Sequence, residues 1–252
     1  MRTIFINHYW NENFRIQIEE EFILSFEEVK VWSKERQHLL ELEIKKRGAE
    51  IVRFVDLSSL SEKLNRGFDK AILIGILLSK DYIKSLCNSS QTDISEFTQN
   101  VHRADELAEW ITGYLQECGY NAFTQSAENL FQNDFFDTET KSSVLPHKTI
   151  ALLAGLGWIG KNNLLITEEY GCAFCMCTVL TDAPIIVKNP PLISSKCGEC
   201  EICKQVCPTN AIYGNNWEEK SNRNFLIDIS RCERCLKCLS HCQWTANYVN
   251  HN

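Results

Sequence analysis

The apolar positions change period several times along the chain, and each change predicts an element. From Glu19 to Arg47 the period is helical, with Phe22, Phe26, Val29, Leu39, Leu40 and Ile44 as the apolar marks and mixed charges between them; Ser33 divides the run and Gly48 stops it. Ile51–Val55 is β-branched and aromatic, as in a strand. Asp56–Arg66 predicts a short helix, and Ala71–Leu78 is a continuous apolar run suited to a strand buried on both faces. Strand, helix and strand in that order suggest a βαβ unit. Ser79–Thr92 is polar and reads as irregular. Asp93-Ile-Ser-Glu96 then opens a helix whose stripe is Phe97, Val101, Ala104, Ala108, Ile111, Leu115 and Cys118. Residues 120–126 suit a strand, and 127–144 predict a long loop around Phe131, Phe135 and Phe136. Pro146 is placed to start a helix running to Leu156. Asn163–Ile166 and Ala173–Leu180 predict paired strands around the turn at 168–171, and Asp182–Ser195, with three prolines, reads as a linker. The chain divides into an α/β (α+β) domain over 1–190 and a small cysteine-rich module over 191–252.

The 252 residues, 44% hydrophobic and 23% charged, are enough for a sizeable core. The start of the chain has neither the basic segment and apolar run of a secretory signal nor a twin-arginine signal, and Ala71–Leu78 is too short to span a bilayer. Together with 13 cysteines, this predicts a reducing, cytoplasmic setting and metal chemistry. The formal charge of −7 weighs against a nucleic-acid partner, which would call for a basic face.

Two runs concentrate the cysteines. Cys197, Cys200, Cys203 and Cys207, followed by Pro208, and then Cys232, Cys235, Cys238 and Cys242 both read C-x2-C-x2-C-x3-C. This is the spacing of a two-[4Fe–4S] ferredoxin, in which the fourth cysteine of each run serves the other cluster. One ligand set is therefore expected to be Cys197, Cys200, Cys203 and Cys242, and the other Cys232, Cys235, Cys238 and Cys207. Structural zinc has no use for a third cysteine at the same step.

Gly155-Leu-Gly157-Trp-Ile-Gly160 matches G-x-G-x-x-G, but a helix precedes it and a strand follows, the reverse of a dinucleotide site. A tight turn in which backbone approaches something closely is the better account. Ala154–Asn162, Leu164–Ile166, Tyr170-Gly171 and Val179–Asp182, followed by the first cysteine run with Pro208-Thr-Asn-Ala-Ile212, resemble the epoxyqueuosine reductase family, itself distantly similar to corrinoid-dependent reductive dehalogenases. The resemblance is firm over 144–212 and looser over 68–126. It implies a nitroreductase-like α/β domain, cobalamin in a cleft, and two clusters fed by reduced ferredoxin or flavodoxin. A flavin is the weaker alternative. The turn residues Gly155, Gly157, Trp158, Gly160, Lys161 and Asn162 become the cofactor-binding candidates.

The chain also departs from the family. Its proton-donating aspartate falls near Thr140 or Lys141, leaving Asp137, Glu139, Cys175 and Cys177 as catalytic candidates. There is no room for the C-terminal helical repeats that help engage tRNA, which again disfavours tRNA as substrate. The resulting expectation is an iron–sulfur oxidoreductase passing electrons to a corrinoid. The alternative is a ferredoxin-type carrier that reduces a partner enzyme or corrinoid protein. Cys172, Cys175 and Cys177 read as buried strand thiols, His147 as a surface residue, and His241 as a neighbour of Cys242 that could tune its cluster.

Overall fold

The structure, a computed structural model, describes residues 32–89, 91–219 and 221–251. The part of the predicted first helix before residue 32 lies outside the described residues. Ser33 caps α1 (Lys34–Lys46) by accepting from Arg36 N–H at 3.1 Å. There follow β1 (Ile51–Asp56), α2 (Glu62–Asn65), β2 (Lys70–Leu77), α3 (Lys80–Asn88), the long α4 (Ser95–Glu117) and β3 (Ala122–Thr124). Next come α5 (Ala127–Gln132), the hairpin β4 (Phe136–Asp137) and β5 (Ser142–Ser143), α6 (His147–Leu153), the hairpin β6 (Trp158–Ile159) and β7 (Leu165–Ile166), and β8 (Phe174–Thr181). The cysteine runs carry α7 (Ile202–Gln205), a 3₁₀ turn (Arg223–Phe225), α8 (Lys237–Ser240) and α9 (Gln243–Asn250).

The main sheet has the order β1-β2-β8-β3 and every pairing is antiparallel. The expected βαβ unit is therefore absent. Only a four-residue helix lies between β1 and β2, too little to carry the chain over the sheet, and left-handed Arg66 and Gly67 turn it back beside β1. β8 pairs with β2 and β3, not with β7, which closes its own hairpin with β6. Two segments expected to be irregular are ordered. Ser79 caps α3, which buries Tyr82, Ile83 and Leu86, and Ser126 caps α5 ahead of the β4–β5 hairpin.

Both faces of the sheet are covered. Ile72, Ile74, Cys177 and Val179 face Leu40 and Ile44 of α1 and Ala104, Ala108, Ile111 and Leu115 of α4. Leu73 and Leu180 face Ile150 and Ala151 of α6 on the other side. A third cluster joins the end of the sheet to the cysteine runs: Leu78, Ile83 and Leu86 pack with Trp158, Ile166, Cys172 and Cys175, and with Leu239 and Cys242. Residues 32–252 thus hold together as one unit. Among the described residues no helix is long and apolar enough to cross a membrane.

Candidate iron–sulfur site and its relatives

The first three cysteines of run one and the last of run two line a single cavity of ≈ 90 Å³: Cys197, Cys200, Cys203 and Cys242, with Lys161, Asn162 and Trp244 completing its wall. Cys203, Cys207, Cys232 and Cys238 pack around Ala211, Ile212 and Ile227, which are nearly or fully buried. Burial pushes the Cys203 thiol up to about 12, and its neighbours Cys242, Cys197 and Cys200 add to the rise. Burial likewise raises Cys238, with contributions from Cys203, Cys232, Cys235 and Cys207. The thiols thus gather as two groups, each built from both runs, with Cys203 at the boundary. Among the described residues no three His, Cys, Asp or Glu side chains converge as a single metal ion would require.

The two long-range cysteines receive polar hydrogens. Burial disfavours a charge on Cys207, but the Ala211 N–H at 3.3 Å and the Thr209 hydroxyl hold its thiol below the usual range. Cys242 is pulled down chiefly by a hydrogen bond with Cys172, helped by the N–H groups of Trp244 and Thr245 in the first turn of α9. Cys172 is pushed well up in exchange and by its burial. This environment suits thiolate ligands. Buried Lys161 and half-exposed Lys196, which also pairs with Glu168, supply positive charge at the cavity. The donor set of four sulfurs with nearby cations fits an anionic cubane.

The glycine turn leads into this cavity through Lys161 and Asn162. A Cβ on Gly157 would lie 1.9 Å from Ile166 O, and Gly155 and Gly160 are closed in by Pro190 and by Ile166. Trp158 is fully buried, 4.9 Å from Trp244 between ring centroids, and its Nε1 has no hydrogen-bond partner among the described residues. Asn162 Nδ2 donates to Cys238 O at 3.2 Å and reaches Cys172 Sγ at 3.8 Å. The turn therefore approaches other parts of the protein, and Lys161 and Asn162 are its members that border the cysteine cavity.

The four catalytic candidates are not brought together. Asp137 and Glu139 sit in the exposed β4–β5 turn, where Asp137 Oδ1 accepts from the Glu139 and Thr140 N–H groups at 2.8 and 3.1 Å. Those bonds, Thr140's first, hold its carboxyl below the ordinary range. Cys175 and Cys177 are buried, Cys175 donating to Phe97 O at 3.4 Å and Cys177 beside Asp105, and burial raises both thiols. His147, read as a surface residue, lies instead against β8, with Nδ1 2.9 Å from Thr178 Oγ1. Gln125 donates to the same hydroxyl at 2.5 Å. Pro146 as N-cap and the alternation of β8 are the local signals for this triad, but the pairing needs the tertiary fold.

A 4Fe-4S dicluster domain family matches residues 196–246. An epoxyqueuosine reductase of Pseudomonas aeruginosa is 36% identical over 112 residues, 44% of this chain but 26% of that protein. The chain thus spans about a quarter of that curated relative's length. Among solved structures, one of a reductive dehalogenase, described in terms of B12-dependent dehalogenation, superposes with TM-score 0.59 at 20% identity over 80% of this chain and 31% of the other. An epoxyqueuosine reductase holding an epoxyqueuosine-modified tRNA-Tyr stem loop superposes with TM-score 0.52 at 15% identity over 86% of this chain and 67% of the other. The chain therefore carries a 4Fe-4S dicluster domain and resembles the epoxyqueuosine reductases in sequence, on a fold it shares with them and with the reductive dehalogenases.

Proposed function

We propose that the chain is an iron–sulfur oxidoreductase unit in which Cys197, Cys200, Cys203 and Cys242 hold one [4Fe–4S] cluster and Cys207, Cys232, Cys235 and Cys238 hold the other. The observation that carries this reading is the cavity shared by three thiols of the first run and the last thiol of the second. Bound there, such clusters supply one-electron transfer at a potential set by charge, hydrogen bonding and exposure. The chain's own residues prepare that setting. Lys161 and Lys196 offset negative charge, backbone N–H groups favour thiolate at Cys207 and Cys242, and Ile166 and Trp244 wall the cavity with apolar surface.

Reduced ferredoxin or flavodoxin is the donor class we infer, and the sheet unit, a shortened nitroreductase-like frame, is the side towards which the electron leaves. Gly155, Gly157, Trp158 and Gly160 are engaged with protein atoms, so the glycine turn does not fit a corrinoid or a flavin. The fold shared with a B12-dependent dehalogenase favours a corrinoid as the acceptor class, held elsewhere on the chain or by a partner. A second reading, reduction of a modified tRNA, is favoured by the names of the relatives and by the stem loop in the superposed reductase, against the weight of the −7 charge.

Anaerobic reconstitution tests the ligand sets. The native chain is expected to bind about eight irons. Cys197→Ala with Cys242→Ala, two ligands of one cluster, should cost about four, whereas Cys235→Ala with Cys242→Ala should cost all eight. The opposite pattern would assign each run its own cluster. Cob(II)alamin and a tRNA stem loop, added separately to the loaded protein, distinguish the two acceptors by a base-off spectrum or by retention of RNA on gel filtration.

A further inference from the structure

We propose that Arg66 and Gln125 form a closed binding site for an oxyanion of the phosphate class, a free phosphate or a phosphate monoester, on the α6 face of the sheet beside β3. The site shares no residue with the cysteine cavity and does not depend on the ligand sets proposed above.

Arg66 follows α2 in the left-handed region, φ +59°, with its backbone N–H on Glu62 O at 2.8 Å. All three nitrogens of its guanidinium are buried, and none has a hydrogen-bond partner among the described residues. Burial pushes its pKa down to about 10, and no neighbouring charge offsets the fall. The group meets two aromatic rings instead, with Cζ 3.7 Å from the Phe135 centroid and 4.8 Å from that of Phe123. Rings attract a cation through their faces. A guanidinium carries its N–H donors in its own plane, and here these stay without acceptors. A buried charge with unmet donors costs free energy that an anion would offset. Paired N–H groups of this kind match the edge of a phosphate.

A second unmet group lies on the same face. Phe123 packs with the cluster of Leu180, Ile150 and Ala151 that joins the sheet to α6. Gln125, two residues on, continues the ladder through its N–H to Thr178 O, so its side chain leaves on the same side. That side chain is fully buried. Its Nε2 donates to Thr178 Oγ1 at 2.5 Å, and its Oε1 has no partner among the described residues. Arg66 thus lacks acceptors and Gln125 lacks a donor. A partly protonated phosphate supplies both, whereas sulfate has oxygens but no O–H. Phe135 covers the guanidinium from the connection between α5 and β4, next to left-handed Asp134. Displacing that one ring opens the site and leaves Phe123 paired in the sheet.

The test is calorimetric titration of the reconstituted full chain, with hydrogen–deuterium exchange on the same samples, at about pH 6, where a phosphate monoester still keeps part of its O–H. The probes are inorganic phosphate, glycerol phosphate and sulfate. Phosphate should bind and slow exchange in peptides covering residues 62–68 and 123–136. Sulfate should bind about tenfold more weakly or worse. Inorganic phosphate alone would identify the free ion as the ligand, and binding of both phosphates would identify a monoester group. Arg66→Met, which keeps an apolar stem against the rings, should weaken phosphate about tenfold or more. Should that variant not fold, the exchange pattern of the native chain decides alone. The proposal is overturned by a native chain that binds no phosphate, by protection confined to other peptides, by sulfate bound as tightly as phosphate, or by Arg66→Met binding phosphate as the native chain does.

Discussion

His147, the first residue of α6, sets Nδ1 on the Thr178 hydroxyl of β8, and burial holds its imidazole down to about 4. The folded value is below the ordinary 6.5, so the fold keeps the ring neutral while the unfolded chain takes up a proton first. Stability from this residue is intact above pH 6.5 and falls as pH drops towards 4, by up to about 1.4 kcal/mol per pH unit. Denaturant titrations at pH 7, 6 and 5 should show a shallower pH dependence in His147→Gln than in the native chain, the carboxylates common to both cancelling in the difference. At this scale the two cysteine runs were legible, because C-x2-C-x2-C-x3-C is a local spacing that can be read without the tertiary fold. His147 and Thr178 were not, because each finds its partner 31 positions away, a pairing that only folding supplies.

At the scale of elements, β2 and α4 were legible from an unbroken apolar run and a stripe of period 3.6; α4 buries Ala104, Ala108, Ile111 and Leu115 as expected, leaves Phe97, Val101 and Cys118 half-buried, and buries Asn100 and Leu107 besides. The sense of β1 against β2 was not, since strand character says nothing of direction, and the short α2 with its left-handed exit decides it. The helix at 80–88 did carry a signal in its Ser79 cap and the spacing of Tyr82, Ile83 and Leu86, masked by its polar composition. The β6–β7 hairpin rests on Gly157, whose missing side chain admits Ile166 O. Gly157→Ala should therefore lower stability by about 3 kcal/mol or more, read as an earlier denaturation midpoint. Gly113→Ala, where a Cβ meets nothing within 4 Å, should be neutral or slightly stabilising.

Across the whole molecule, α9 ties the cysteine runs to the sheet unit. Tyr248 donates to Leu78 O at 3.0 Å and sets its ring edge-on to Tyr170 at 5.8 Å, while the first turn of α9 serves Cys242. A chain ended after Cys242 keeps all eight ligands but loses this seat. It is expected to load about eight irons yet release about four on gel filtration, where the full chain retains them. No local sequence pattern announces this joint.

The proposed interleaving of the thiols would also set an order of events during biosynthesis. Translation completes the sheet at Thr181, before Cys197 is made, so Lys161, Asn162 and Cys172 can be in place before any cluster ligand exists. In the proposed ligand sets neither quartet closes until the second run emerges, one waiting for Cys238 and the other for Cys242. Under the proposed ligand sets the nascent chain thus offers incomplete sets of sulfurs beside a finished sheet until the second run has been made.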